Sequence, residues 1–577
     1  MECANGKPAR LVVSEIKTKQ PALYVDEKVQ AAFLGDFSLY RKKMKAILKL
    51  NAKIPLSKHN RIFLMMTTHT TPFNRTILTI LLFGGLLSSH VAHANDNPTE
   101  LKQPADSAQQ KSWLNQLNQQ AKQPAPQSGS ANTSPNHVTD ADLIKQPALL
   151  AQLLQQALNT PETELIQSLA NAYRQTENPD ALLLARADGT VLRGQNRLSD
   201  AIAAYERIVQ THNDTRTRLD LAAMQFENKQ WRDADQQFES AKQNEALPDA
   251  VLHNVARYQN AIAQQQAWQF EAGISPIRNQ NVNDAPEKPY CLYGIYCSTT
   301  RPIKATGIGY SFDFAKQYSL RGNHSLVLRG QASGTHYINH AQYNDAFLRV
   351  LAGWQWQDKT RTIGVLPFYQ AQFSGSDNFD SKPTQSGRVL PYMLAHGNGL
   401  QLNYAQQYST RWQSYHSLEG YRTFYRETAR AQKQDGWTYS TYHSLAFRAT
   451  SNMTWFTGYQ YSQFAPKNRD LAGSRNNAAF QRHAISLGWL QRWQTLGGLN
   501  SRVVYSYAKR RYSGIATLSN EAQRNHETSL QLALSHDKLQ YRGLQPSLNV
   551  QFNRIRSNRP WAQRKSHTVY LGLDKSF

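Results

Sequence analysis

The sequence predicts an α+β multidomain protein, with N-terminal α-helical repeats followed by a 14-stranded antiparallel transmembrane β-barrel. Three observations predict this fold class. From residue 267 onward, segments of about ten residues alternate apolar and polar positions. The breaks between these segments are alternately short and long. Before residue 267, the apolar period changes to that of a helix.

The alternation is clear in the predicted strand at 304–316. Ile308 and Phe312 fall on one face, and Gly309 and Ser311 fall on the other. Successive strand side chains point to opposite faces, so one face can meet lipid while the other meets a wet lumen. The predicted strands are 267–277, 304–316, 323–333, 343–356, 360–373, 394–407, 410–425, 437–449, 453–464, 479–493, 497–509, 526–536, 539–553 and 566–577.

The lengths of the breaks distinguish a barrel from a soluble sandwich. Outer-membrane barrels place short turns on the periplasmic side and longer loops outside, so short and long breaks alternate along the chain. In a soluble sandwich nothing requires loop length to alternate in this way. The short breaks, with a tight turn at 537–538, alternate with longer ones along the predicted strands. We therefore expect a barrel with both ends in the periplasm.

The end of the chain supports the same interpretation. Phe577 follows Val569, Leu571 and Leu573, which share one face of the last predicted strand. This pattern resembles the terminal signature of bacterial outer-membrane proteins, which the barrel-assembly machinery reads. We expect Phe577 to be the assembly signal and that machinery to be a partner.

A secretory signal peptide is predicted at residues 65–94. A positive charge precedes a short apolar core, and Ala92 and Ala94 supply a small–x–small cleavage pattern. The core is too short for a membrane-spanning helix. Because a signal peptide belongs at the N-terminus, we expect translation to start at Met65 or the next methionine. Residues 1–64 are then an upstream extension.

Residues 95–139 are rich in Gln, Asn, Pro and Ser and contain few large apolar side chains. Such a segment cannot bury enough surface to fold alone. We interpret it as a disordered polar tether in the periplasm.

Residues 140–266 carry a repeat of small and aromatic positions. The step is 33 residues, from Ala201, Tyr205 and Ile208 to Ala234, Phe238 and Ala241. This spacing resembles the tetratricopeptide pattern, and a plain helical bundle is the alternative. Stacked helix pairs form a concave groove that commonly binds an extended peptide. We therefore take Tyr205 and Phe238 as candidate groove residues of a periplasmic helical domain.

The chain contains three cysteines, at positions 3, 291 and 297. Cys3 lies ahead of the predicted signal peptide. Cys291 and Cys297 lie six residues apart in the first long loop of the predicted barrel, outside the cytoplasm, where disulfides persist. A metal site needs further ligands nearby, and none is evident. We expect a disulfide between these two cysteines and no metal.

The formal net charge is +24, while the mean hydropathy of −0.62 remains compatible with a barrel. Much of the positive charge lies in the predicted long loops. Residues 554–565 carry five basic side chains and no acid, and a basic run at 509–511 opens another loop. On an outer surface such patches favour lipopolysaccharide phosphates as the partner over nucleic acid.

The sequence lacks the patterns of the common catalytic sites. It has no H-E-x-x-H, no G-x-S-x-G and no phosphate-binding glycine loop. Ser376 and Asp377 lie beside a strand end, and we interpret them as part of a solvated loop. We expect neither an enzyme nor a cofactor.

The order of segments resembles the surface lipoprotein assembly modulator (Slam) family of Gram-negative bacteria. The resemblance is sharpest in WQFEAGISPIRNQNVN at 268–283 and GIGYSF at 307–312, and it covers most of 140–577. It implies an outer-membrane translocator that delivers client surface lipoproteins, or a related secreted client, across the outer membrane to the cell surface. It brings no catalytic residues, and it leads us to expect periplasmic chaperones as partners.

A physical mechanism follows as a hypothesis. A 14-stranded lumen should pass an extended chain but no folded domain. The first and last strands close the barrel at a seam, where Gly273 and Gly572 weaken the strands and Pro276 cannot donate a ladder hydrogen bond. This seam is a candidate lateral opening. The alternative is that these residues only relieve strand curvature.

Two rival functions remain open. An exopolysaccharide-exporting porin also joins tetratricopeptide repeats to a barrel, but with much longer helical arrays. A passive porin with an accessory periplasmic domain is the second rival, although a porin needs no peptide-binding repeats.

Overall fold

The computed structural model describes residues 144–160, 162–244, 247–294, 296–375, 392–471, 473–515 and 520–576. Within these ranges, helices precede a closed antiparallel barrel, so the predicted fold class is confirmed. The predicted extension, signal peptide with Ala92 and Ala94, and tether lie outside the described residues. The loop residues Ser376 and Asp377 and the terminal Phe577 also lie outside them.

Seven helices of the described residues precede the barrel. They are α1 (Pro147–Ala157), α2 (Thr163–Tyr173), α3 (Ala181–Gly194), α4 (Leu198–Thr211), α5 (Thr215–Glu227), α6 (Trp231–Asn244) and α7 (Asp249–Gln266). Two of them begin at an aspartate cap: Asp180 accepts hydrogen bonds from the first turn of α3, and Asp214 accepts from Thr217 N in α5. These side chains satisfy donors that a helix leaves unpaired.

The repeat places an aromatic ring between paired helices. Tyr205 of α4 is buried against Gly189 of α3, where a Cβ atom would overlap its ring. Its Oη donates to Arg186 O at 3.1 Å. One repeat later, Phe238 of α6 is buried and stacks on Tyr258 of α7, with ring centroids 5.2 Å apart. The small residues therefore let helices approach, and the aromatic ring fills the space between them.

No helix of the described residues is long and apolar enough to cross a membrane.

Fourteen strands close the barrel. They are β1 (Gln269–Asn279), β2 (Ala305–Ser319), β3 (His324–Tyr337), β4 (Asp345–Gln357), β5 (Arg361–Ser374), β6 (Tyr392–Gln407), β7 (Trp412–Tyr425), β8 (Gly436–Thr450), β9 (Met453–Pro466), β10 (Phe480–Trp493), β11 (Leu499–Ile515), β12 (Ala522–His536), β13 (Leu544–Ser557) and β14 (Arg564–Ser576). Each pairs with the next, and β14 returns to β1. Closure leaves no free sheet edge for lipid to meet.

The two faces of the strands differ as the sequence predicts. Outward side chains such as Ile308, Phe312, Leu571 and Leu573 are apolar and exposed on the outer wall. Alternate positions face the lumen, which carries polar residues such as Gln370. The short helix α8 (Thr428–Gln434) lies in the loop between β7 and β8 on the side of the long loops.

Several predicted strand boundaries are wrong, and the differences around β11 and β13 alter the loops. The break after β12 is a 3-10 helix, Asp537–Leu539, followed by Arg542 and Gly543, both with positive φ, so the predicted tight turn at 537–538 is longer. As a result β13 begins at Leu544 rather than 539. β11 continues to Ile515, although the sequence predicted its end at 509. Basic residues alternate faces there and stay paired up to Arg511, and the ladder shifts register before Ile515.

Candidate functional site

The helical domain is attached to the barrel through the connection between α5 and α6. Lys359, in the turn between β4 and β5, lies with its Nζ 2.8 Å from Glu227 Oε1 at the end of α5. Arg193 of α3 holds the other carboxylate oxygen at 3.0 Å. Glu227 therefore joins a repeat helix to a barrel turn. We call the contacts of residues 227–233 with turns 320–323 and 358–360 the docking interface.

Hydrogen bonds complete the docking interface at the turn between β2 and β3. Asp233 Oδ2 accepts from Gly322 N at 2.6 Å. Asn323 Nδ2 donates to Asn228 O at 2.5 Å, and Asn323 Oδ1 accepts from Gln230 Nε2 at 2.9 Å. Because backbone groups take part on both sides, the contact fixes the orientation of the helical domain at the mouth of the barrel.

The electrostatics of the docking interface favour the charged form of Glu227. Burial alone would raise the pKa of Glu227, but the hydrogen bond from Lys359 and the charges of Arg193 and Lys359 outweigh it and lower that pKa. Burial lowers the pKa of Lys229, which lies 5.9 Å from the Trp231 ring centroid. Glu227 is thus a carboxylate at neutral pH.

Sequence reasoning missed the docking interface. Gln230 and Asn323 lie 93 residues apart, and Glu227 and Lys359 lie 132 apart. Each residue is an ordinary polar side chain in a turn or at a helix end, so no local pattern marks it. The only available signal was that the two partner turns are among the short breaks predicted on the periplasmic side.

The seam has an interrupted ladder. The β1–β2 ladder runs without a break from Gln269–Ala315 to Asn279–Ala305. The β1–β14 ladder pairs Ile274 with Leu573 and Ile277 with Tyr570, but it skips Ser275 and Pro276. Proline has no N–H to donate, which accounts for the gap.

The two seam glycines make room for polar side chains. A Cβ atom at Gly273 would lie 2.6 Å from Asp574 Oδ1 and 2.8 Å from Ser311 Oγ. One at Gly572 would lie 2.7 Å from Ser547 Oγ. Inside the barrel, the positive charge of Arg502 on β11 is influenced by acidic residues on both seam strands, Asp574 of β14 and Glu271 of β1.

The first long loop lies across the seam on the extracellular side. A disulfide joins Cys291 and Cys297 in a short hairpin of this loop. Glu287 N donates to Gln563 O at 2.8 Å, and the ring centroids of Tyr290 and Trp561 lie 6.1 Å apart. These contacts connect the loop after β1 to the loop before β14.

The asparagines at the exit of β1 shape this loop. Asn281 Oδ1 accepts from Ala285 N at 2.8 Å, and Asn283 Oδ1 accepts from Ile303 N at 2.8 Å. Asparagine suits this position because its side chain pairs with nearby backbone groups in turns. Asn281 and Asn283, at the end of the segment 268–283, therefore have a structural role at the rim.

Charged side chains meet inside the barrel. Arg349 of β4 reaches Glu419 of β7 at 2.7 Å, and Gln370 of β5 accepts from the same guanidinium at 2.7 Å. The side chains of Arg349 and Glu419 are 3% and 1% exposed. They meet over β5 and β6, so this part of the lumen is occupied by side chains.

The candidate groove residues lie inside the helical domain. Tyr205 and Phe238 are each 2% exposed and belong to the helical core. The rings therefore fill the space between helices, and a client groove around them stays a prediction. A bound peptide would meet the surface that these rings support.

Among the described residues, no group of three or more His, Cys, Asp or Glu side chains is placed to hold a metal ion.

Comparison with known proteins agrees with this architecture. The sequence model of the family "Surface lipoprotein assembly modifier" matches residues 268–577, and the model of that family's N-terminal TPR repeats matches residues 136–238. The chain belongs to the Surface lipoprotein assembly modifier family. The two family models match the repeats and the barrel that the structure shows. The predicted resemblance is therefore confirmed.

Individual relatives align over most of their length. Surface lipoprotein assembly modifier 2 of Neisseria meningitidis is 40% identical over 77% of this chain and 90% of that protein. A Surface lipoprotein assembly modifier of Pasteurella multocida is 26% identical over 83% of this chain and 93% of that protein. The Hemophilin secretion modulator of Acinetobacter baumannii is 23% identical over 70% of this chain and 81% of that protein. This family member is an outer-membrane barrel with a periplasmic N-terminal repeat domain.

Proposed function

We propose that the chain delivers client surface lipoproteins, or a related secreted client, across the outer membrane to the cell surface. One structural observation supports this function above the others. The repeat domain is fixed at the periplasmic mouth of the barrel through Glu227–Lys359 and Asp233–Gly322. A porin needs no such attachment, whereas a translocator must bring its client to the barrel.

The names of the relatives support the class of client. Several are called Surface lipoprotein assembly modifiers, and one is called the Hemophilin secretion modulator. We infer a client that reaches the periplasm unfolded or held by chaperones and contacts the repeat domain. A signal peptide at 65–94 and a tether at 95–139 would deliver and position that domain, while the barrel-assembly machinery inserts the barrel.

The interior of the barrel favours the seam as the route. Arg349 and Glu419 occupy part of the lumen, and a client that passed there would have to break a buried ion pair. The seam needs only a short ladder to open, since Ser275 and Pro276 are already unpaired with β14. We therefore place the lateral opening between β1 and β14, with Gly273, Pro276 and Gly572 as seam residues.

Surface exposure of a lipoprotein tests the function. The chain is co-expressed with a lipoprotein encoded beside its gene, and intact cells are treated with a protease that cannot enter them. We expect cleavage of the lipoprotein only when the chain is present. Lipoprotein that stays protected contradicts the proposal, and chain-dependent uptake or export of sugars without lipoprotein cleavage supports a porin or polysaccharide exporter.

A disulfide across the seam tests the route. Ile274→Cys with Leu573→Cys joins outward residues paired across β1 and β14. Leu530→Cys with Phe552→Cys is the matched control, because these residues are paired and outward on β12 and β13. We expect oxidation to stop display only in the seam variant and reduction to restore it. Unchanged display with the seam locked excludes lateral opening but leaves delivery itself intact.

A further inference from the structure

The outer wall of the barrel turns from apolar to basic at the extracellular ends of β11 to β14. On β11, the exposed Tyr505 is followed at alternate positions by Tyr507, Lys509 and Arg511. On β13, the exposed Phe552 is followed at alternate positions by Arg554 and Arg556. We call six exposed residues the basic wall: Lys509, Arg511, Arg524, Arg554, Arg556 and Lys565.

An aromatic pair marks the level of the membrane surface beneath the basic wall. Tyr507 Oη lies 2.7 Å from His526 Nδ1 on the outer face of β11 and β12. Amphipathic rings settle where hydrocarbon meets water. Lys509 and Arg511 lie two and four residues further toward the outside, so they reach the headgroup layer of the outer leaflet.

The basic wall places like charges directly opposite each other. Arg511 pairs with Arg524 across β11 and β12, and Arg554 pairs with Lys565 across β13 and β14. Like charges at such cross-strand positions repel each other and destabilise a sheet. Arg554 has Glu287 at 3.8 Å. Within the part of the chain that the structure describes, Arg511, Arg524 and Lys565 have no ion pair.

The inner face of the same strands shows what such a pair requires. Arg482 and Arg510 are also directly opposite on β10 and β11. There the chain supplies a carboxylate between them: Glu527 lies 2.8 Å from Arg482 Nε and 2.8 Å from Arg510 Nε. The outer pair of Arg511 and Arg524 has no such carboxylate, so its neutralising anion must come from the surroundings.

We propose that the basic wall binds the phosphates of a phosphorylated glycolipid of the lipid A class in the outer leaflet. A guanidinium presents paired donors that match phosphate oxygens, and two guanidinium groups side by side suit a group with more than one negative charge. The apolar wall below, with Tyr505 and Phe552, meets the acyl chains. The bound lipid lies on β11 to β14 and borders the β14 side of the seam.

Lipid binding to the full-length protein in detergent tests this site. The variant Arg511→Gln with Arg524→Gln removes the opposed pair. The control, Arg411→Gln with Arg542→Gln, removes the same charge from exposed periplasmic turns. The probes are bisphosphorylated lipid A, its dephosphorylated form, phosphatidylglycerol and inorganic phosphate, and the readouts are bound lipid by native mass spectrometry and the melting temperature.

We expect lipid A to bind the wild type and the control and to raise their melting temperatures. Binding to the Arg511/Arg524 variant should be about tenfold weaker or more, because two charges at the membrane surface are lost. Dephosphorylated lipid should bind the wild type as weakly as lipid A binds the variant. Equal binding of lipid A to wild type and variant overturns the proposal. So does phosphatidylglycerol or inorganic phosphate binding as tightly as lipid A.

The melting temperature without lipid shows whether the Arg511/Arg524 variant has lost stability rather than lipid binding alone. Without lipid, the Arg511/Arg524 variant should melt no lower than the wild type, because the repulsion between the two arginines is removed. If it melts lower, the second variant, Arg556→Gln with Lys565→Gln, takes its place with the same control and the same expected loss of binding. Normal lipid A binding by that variant also overturns the proposal.

Discussion

Arg349 and Glu419 form a buried ion pair inside the barrel, with Arg349 Nη2 2.7 Å from Glu419 Oε1. The two residues lie 70 positions apart in the chain and on strands separated by two others. Phe368 packs on the guanidinium, 4.2 Å from its ring centroid, and Gln370 accepts a hydrogen bond from it. This contact braces one side of the lumen.

The first prediction concerns the lumen pair. Arg349→Met removes one partner and leaves a buried carboxylate, which should cost about 3–5 kcal/mol in the free energy of unfolding. Replacing both Arg349 and Glu419 by Met should cost less than the single change. Denaturant unfolding in detergent, followed by tryptophan fluorescence, measures both. Equal loss in the single and double variants would show that the pair is not the interaction that matters.

The second prediction concerns the repeat core. Phe238→Ala deletes a buried ring that stacks on Tyr258 and should destabilise the helical domain by about 3–5 kcal/mol. The control is Leu252→Ala on α7, because Leu252 is exposed and its loss should change little. Thermal loss of the helical circular dichroism signal reports the difference. If the Phe238 variant is as stable as the control, the ring does not stabilise the helical core, and a role in binding peptide would be favoured instead.

The third prediction concerns the docking interface. Lys359 and Glu227 are 39% and 29% exposed, so Glu227→Lys alone should weaken docking by only about 0.5–1 kcal/mol. Adding Lys359→Glu should restore part of the loss, whereas adding Asp233→Ala should increase it, since Gly322 N then loses its acceptor. The distance between spin labels on α4 and on a periplasmic turn measures the docked fraction. If the docked fraction of the Glu227→Lys/Lys359→Glu variant does not recover, the ion pair between these residues does not stabilise docking.

The fourth prediction is the pH dependence of docking. The pKa of Glu227 lies below its ordinary value of 4.5 in the folded protein. The ion pair therefore contributes fully above that value, and the contribution is lost as pH falls through the lowered pKa. The label distance should stay constant from neutral pH down to 4.5 and broaden below it, and Glu227→Gln should remove this transition. Broadening that begins near neutral pH would assign it to another group.

Much of the barrel could be predicted because its signals are local. The alternation around Ile308 and Phe312 and the parity of the breaks depend only on neighbouring residues. The turn after β12 was predicted too short, because the positive φ of Arg542 and Gly543 leaves no apolar pattern. The charges at 509–511 were read as one loop patch, although Arg510 faces the lumen and Lys509 and Arg511 face outward.

The functional contacts could not be predicted for a physical reason. Glu227 and Lys359 become partners only after the repeats and the barrel have both folded, and neither residue belongs to a periodic pattern. Tyr205 and Phe238 were recognised from their spacing, but that spacing reports helix packing. Sequence pattern thus located the elements and their cores, while the contacts between domains needed the three-dimensional arrangement.

Transport by the purified chain is the most direct test of the central claim. The full chain is inserted into lipid vesicles with its repeat domain outward, and an unfolded lipoprotein is presented on that side with a periplasmic chaperone. We predict that the lipoprotein becomes protected from added protease, and that protection is lost when the vesicle is dissolved. Equal protection in vesicles that carry an unrelated barrel, or no protection with the chain present, would contradict the account.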